Sequence, residues 1–90
     1  MLKIERSVEG GAVHLVLSGR IDQANLEDLE RAIDGVDTMP PQVTIDLSEI
    51  RLLDREAVRF LVRCEAAGVR LIRCPPYIRE WITREQEGNI

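Results

Sequence analysis

Apolar and polar residues alternate from the start of the chain. Leu2, Ile4 and Val8 share one face of a first strand, with Lys3, Glu5 and Ser7 on the other. Glu9-Gly10-Gly11-Ala12 is expected as a tight hairpin turn, because paired glycines accept positive φ angles. In a second strand Val13, Leu15 and Leu17 alternate with Ala12, His14 and Val16. Ser18-Gly19-Arg20-Ile21-Asp22 then breaks the pattern and reads as a turn. The period changes to helical at Leu26, Leu29, Ala32, Ile33 and Val36. Asp22 or Asn25 can cap this helix, Glu27 and Asp28 suit its positive end, and Gly35 and Met39-Pro40-Pro41 close it.

Alternation returns in a third strand, Gln42 to Leu47, with Val43, Ile45 and Leu47 inward and Gln42, Thr44 and Asp46 outward. A loop is expected from Ser48 to Leu53. Asp54 then caps a second helix whose apolar stripe is Ala57, Phe60, Leu61, Cys64 and Gly68, flanked by Val58 and Val62. Gly68 ends it. Val69 to Cys74 forms a fourth strand, and Pro75-Pro76 opens a last helix that buries Ile78, Trp81 and Ile82. The polar tail Glu85 to Ile90 is expected to fray.

The order ββαβαβα constrains the architecture. Right-handed crossovers between neighbouring parallel strands carry every helix to one face of the sheet, and alternating strands mean that the other face is open. The expectation is a single α/β domain over residues 1–90. It holds a four-stranded mixed sheet in the order 1-2-3-4, the first strand antiparallel and the helices on one face. Lys3, Glu5, His14, Thr44 and Asp46 would line the open face. Ile72 breaks the alternation of the fourth strand for no reason visible in the sequence.

Composition narrows the function classes. Apolar residues supply 44% of the 90 residues, enough for a core, and one Phe, one Tyr and one Trp make that core mostly aliphatic. A net charge of −4 gives no general attraction to phosphate backbones, so nucleic acid is not an expected partner. No apolar run approaches the roughly 18 residues of a membrane span. Met1-Leu2-Lys3-Ile4-Glu5 is no signal peptide, and a cytoplasmic location is the expectation. Cys64 and Cys74 fall about 16 Å apart across a helix-to-strand return, beyond the roughly 7 Å that a disulfide allows between Cα atoms. Both are expected as free thiols.

Catalytic constellations are missing. His14 sits mid-strand on the open face with no Ser or Cys nucleophile beside it. Gly10-Gly11 belongs to a hairpin, and no phosphate loop or metal-ligand spacing occurs, so neither cofactor nor metal is expected. Two features carry more. Cys74 precedes a helix N-terminus, where the dipole can lower a thiol pKa, although a packed thiol is the plainer role. Arg55, Arg59 and Arg63 recur every four residues on the second helix. They form either a solvated face softened by Glu56 or a docking edge for an acidic partner.

Two segments together resemble the STAS domain of anti-sigma factor antagonists. Leu17-Ser18-Gly19-Arg20-Ile21-Asp22, followed by a helix, is similar to that family's strand-turn. Ile45-Asp46-Leu47-Ser48-Glu49-Ile50, then Leu53-Asp54, is similar to its second signature. The resemblance covers nearly the whole chain. It implies a non-enzymatic adaptor whose partner is an anti-sigma kinase, another STAS domain or the ATPase subunit of a lipid transporter. The implied partner-binding edge is the turn Gly19 to Asp22, the loop Ser48 to Asp54 and the start of the second helix. Its candidate residues are Arg20, Asp22, Ser48, Asp54, Arg55, Glu56 and Arg59.

One departure stands out. The family's phosphorylated serine follows the second aspartate, and here that position is Arg55. Arginine accepts no phosphoryl group and mimics neither serine nor phosphoserine, which carries about −1.5 to −2 charge at neutral pH. Regulation through that position is therefore not expected. The alternative of another class is a small-molecule or anion sensor that uses the helix N-termini, with Arg20 or Arg55 adding charge.

Overall fold

The computed structural model describes residues 2–34 and 42–88. Strand β1 (Leu2–Glu9) turns back into β2 (Ala12–Ile21); a 3₁₀ turn at Gln23–Asn25 leads into α1 (Leu26–Asp34). Then follow β3 (Val43–Leu53), α2 (Arg55–Ala66), β4 (Arg70–Ile72) and α3 (Pro76–Gly88). The sheet runs β1-β2-β3-β4, with β1 antiparallel to β2 and the other two pairings parallel. This is the expected sheet. The closing residues of α1, Gly35, Val36 and Met39-Pro40-Pro41, lie outside the described residues.

One aliphatic core joins the inward residues of the strands to the helices. Val13, Leu15, Leu17, Val43, Ile45 and Leu47 pack with Leu29 of α1, Ala57, Val58, Phe60 and Leu61 of α2, and Ile78 and Ile82 of α3. All three helices therefore cover the same face. Lys3 and Glu5 are exposed and His14 and Thr44 half-buried on the other. Val8, expected on the core face, is exposed near the end of β1.

Two expected loops are strands. β2 continues to Ile21 and β3 to Leu53, taking in Ser18 to Ile21 and the whole of Ser48–Leu53, which read as irregular. The register explains the difference. Val16 pairs with Asp46 but Ser18 with Glu49, and Gly19 pairs with Ile50 but Arg20 with Leu52. β3 thus carries an extra residue at two bulges, and each bulge shifts the phase of its side chains. Its buried positions become Leu47, Ile50 and Leu53, a spacing of three that alternation does not detect.

Asp46 is a buried carboxylate. It lies on the open face as expected but is only 5% exposed. Its Oδ1 accepts the Ser48 N–H at 2.8 Å, and Arg73 Nε stands 3.8 Å from Oδ2. Ile72, paired with Asp46 in the register, shares that face, as does Val16 on the other side. The residue that broke the alternation is therefore the apolar neighbour of a buried carboxylate. Burial pushes the Asp46 carboxyl up, but the Ser48 hydrogen bonds, with Arg73 and His14 nearby, hold it net below the ordinary aspartate value.

The fourth strand is shorter than Val69–Cys74, covering only Arg70–Ile72, because Arg73 turns the chain with φ at 51°. The last helix is longer than expected. It continues to Gly88, through much of the tail expected to fray, and its Glu85 meets Arg55 and Arg59 of α2.

Candidate functional site

The expected edge is a corner where β2 and β3 end and two helices begin. Asp22 closes the first of these with reciprocal bonds. Its Oδ1 accepts the Asn25 N–H at 3.2 Å, and Asn25 Oδ1 accepts the Asp22 N–H at 2.9 Å. Asn25 Nδ2 also donates to the Arg20 carbonyl at 3.1 Å, and Arg20 Nε meets Asp22 Oδ2 at 3.1 Å. Arg20, Asp22 and Asn25 form one polar knot.

Asp54 fastens that knot to α2. Its Oδ1 accepts the Ala57 N–H at 2.8 Å, capping α2, while its Oδ2 accepts the Gln23 N–H at 3.0 Å. One carboxylate thus serves donors at two helix starts, and the Asp54 N–H donates to the Ile21 carbonyl at 3.3 Å. These donors, which an anion at either helix start would use, are taken by the chain's own carboxylates.

Ser48 sits on the first bulge. Its N–H is committed to Asp46, and its exposed side chain faces an open groove of about 390 Å³ with Ser18, Gly19, Glu49, Ile50 and Arg51. Among the described residues no hydrogen bond or ion pair joins Ser48 to Arg55. Two large apolar residues stay open to solvent on this side of the molecule. Leu52 is 55% exposed and Tyr77 48%, with the Tyr77 hydroxyl donating to the Ile50 carbonyl at 3.1 Å.

The arginine stripe divides. Arg63 stands 6.0 Å over the Phe60 ring. Arg55 and Arg59 instead converge on Glu85 of α3, with Nε to Oε1 distances of 3.6 and 3.0 Å, and Glu56 lies 3.6 Å from Arg59 Nη1. The Arg59 hydrogen bond, with Arg55 close by, holds the Glu85 carboxyl below its ordinary value. Farther along, the Arg79 guanidinium grips both carboxylate oxygens of Glu65 at 3.1 and 3.0 Å, an arrangement that holds Glu65 low. Glu85 was overlooked in the sequence. Its spacing from Ile78 and Ile82 follows the buried face of α3, which was the available signal.

Cys74 departs from the dipole argument. Burial pushes its thiol up, against the pull of nearby Arg79, and burial pushes Cys64 up to about 11. Both cysteines are free. No group of His, Cys, Asp or Glu among the described residues is placed to hold a metal, and no described helix is long and apolar enough to cross a membrane.

Comparison with known proteins adds to this geometry. The family described as Mlab, STAS domain, matches residues 4–76. The crystal structure of Mglu superposes with a TM-score of 0.64 at 26% identity over 80% of this chain, which spans only 19% of the Mglu chain. A protein of the DUF3478 family with a SpoIIAA-like fold, from Shewanella loihica PV-4, gives a TM-score of 0.51 at 18% identity. That match covers 98% of this chain and 78% of the other, and it shows a shared fold. No curated protein matches the sequence.

Proposed function

The chain belongs to the STAS-domain family, and from that premise we propose that it is a non-enzymatic regulatory adaptor, docking a protein partner at the corner where β2 and β3 end and α2 begins. The observation that carries this reading is the double role of Asp54, which accepts one N–H from Gln23 and one from Ala57. Such a corner is held in one shape before any partner arrives, which lowers the ordering cost of docking. Around it, Leu52, Tyr77 and Arg55 are open to solvent. Apolar surface beside cationic groups suits a protein surface better than a small ligand.

Arg55 is 66% exposed at the first position of α2, and on this reading it stands where anti-sigma factor antagonists carry their phosphorylated serine. The adaptor is therefore constitutive at this position: neither ATP nor a kinase changes its affinity through residue 55. Its partner is an anti-sigma kinase, another STAS domain or a transporter ATPase subunit, met in the cytoplasm.

The test is capture from the native cell with wild type and Arg55→Glu as paired baits, followed by identification of the retained proteins. A partner of one of these three kinds, held by wild type and reduced with Arg55→Glu, supports the reading. Equal retention by both baits places Arg55 outside the interface. Phosphate found on Ser48 that alters binding would move the switch to the bulge.

A further inference from the structure

Arg55 and Arg59 stand one helical turn apart on α2 and both point at the same oxygen, Oε1 of Glu85, at 3.6 and 3.0 Å. Glu85 is 13% exposed, whereas Arg55 and Arg59 are 66% and 43% exposed. A guanidinium carries five N–H donors, so even with Glu56 3.6 Å from Arg59 Nη1 the pair keeps donors facing water. The geometry is a two-pronged carboxylate site, and its resident carboxylate comes from the chain's own last helix.

That resident is weakly anchored. Ile82 is the last buried residue of α3, and Thr83, Arg84, Gln86, Glu87 and Gly88 are exposed. Beyond Ile82 the described side-chain ties to α2 are the two arginine contacts of Glu85 and a 3.2 Å bond from Gln86 Nε2 to Glu65. A terminal turn held only by polar contacts opens at small cost, because water and mobile ions replace those contacts.

We propose that Arg55 and Arg59 bind a carboxylate of an acidic peptide segment on the partner, and that this carboxylate displaces Glu85. The inference rests on the docking reading above and adds the partner's chemistry and an internal competitor. The point on which both guanidinium groups converge is free only while α3's last turn is open, so Glu85 lowers the apparent affinity by the closed fraction. The C-terminal helix thereby discriminates: a segment with one weakly placed carboxylate loses to Glu85, while one with several succeeds.

The experiment titrates wild type, Glu85→Gln and Arg59→Gln with a hexaglutamate peptide, and with hexaglutamine as control. The arginine side-chain Nε–H resonances report binding, and Trp81, half-buried on α3, reports by its emission that each variant is folded. Glu85→Asp serves as a second variant with the latch shortened by one methylene. Hexaglutamate should bind Glu85→Gln about two- to fivefold more tightly than wild type, the range that partly exposed ion pairs supply. Glu85→Asp should fall between them, Arg59→Gln should lose binding, moderate salt should weaken it, and hexaglutamine should not bind. Equal affinity for wild type and Glu85→Gln, or no hexaglutamate binding by Glu85→Gln at low salt, overturns the proposal. The adaptor reading fails separately, when the captured partner ignores substitutions at the Arg20–Asp22–Asp54 corner.

Discussion

Asp54 and Gln23 lie 31 positions apart in the chain, yet the Gln23 N–H donates to Asp54 Oδ2 at 3.0 Å while Asp54 Oδ1 caps α2. The bond couples the start of α2 to the turn before α1, beside the Asp54 N–H bond to the Ile21 carbonyl. Asp54→Ala should cost about 1 to 2 kcal/mol, the upper part of the range for a lost N-cap, since a second donor is also stranded. Asp54→Asn separates the two roles. Its amide oxygen can still cap Ala57, but its NH₂ cannot accept from Gln23. Hydrogen exchange should then quicken at Gln23 and stay slow at Ala57.

The core was legible where the backbone is regular. The residues chosen as inward, such as Leu15, Ile45 and Leu61, are fully buried, because unbroken alternation and helical spacing report the face directly. The extensions of β2 and β3 were not legible. A bulge adds a residue without changing composition, so Ile50 and Leu53 looked like loop residues although they face the core. Of the candidate site, the caps Asp22 and Asp54 could be read locally, since capping acts across a few residues. The link from Arg59 to Glu85 joins residues 26 positions apart, and no local pattern encodes which helix α3 packs against.

Leu29, Ile45 and Leu61 come from α1, β3 and α2, and none exposes any surface. Alanine at each should cost about 2 to 5 kcal/mol, as the transfer and cavity terms add. Urea denaturation checks the expectation. Unchanged midpoints for all three would contradict the shared core.

Asp46 makes stability depend on pH. Its folded pKa lies below the ordinary aspartate value, which is about 3.9 for an unfolded chain. A depressed carboxylate stabilises the fold fully above the unfolded pKa, and the contribution is lost as pH falls through the folded one. Asp46→Asn should therefore be less stable than wild type near neutrality, and the gap should narrow below about pH 4. Urea melts of both proteins from neutral to acidic pH give the comparison. A gap that stays constant would assign the cost to geometry rather than to charge.

The thiols should be slow. Burial raises Cys64 to about 11 and raises Cys74 as well, so little thiolate exists near neutral pH. Neutral alkylation of either residue in the folded protein should lag behind a free thiol, and non-reducing mass analysis should find no bond between them. Fast labelling of Cys74 would return a thiol chemistry to consideration.

Arg55→Ser places a serine where the resemblance puts the phosphorylated one of anti-sigma factor antagonists. A cation in the first turn of α2 opposes the helix dipole by about 0.3 to 1 kcal/mol, and the substitution removes that cost. It also removes the longer of the two contacts to Glu85, at 3.6 Å, while the 3.0 Å contact from Arg59 stays. The two effects have opposite signs, so stability should change by no more than about 0.5 kcal/mol, as for an ordinary surface site. Binding should respond more. The carboxylate site loses one prong, so hexaglutamate affinity should fall even though the fold is untouched. Kinase treatment should leave wild type unmodified at residue 55. The new serine would be followed by Glu56 and, one turn on, Arg59, which belong to the surface that a kinase reads. Phosphate appearing on that serine would show that the surface still fits a kinase and that only the acceptor had been replaced.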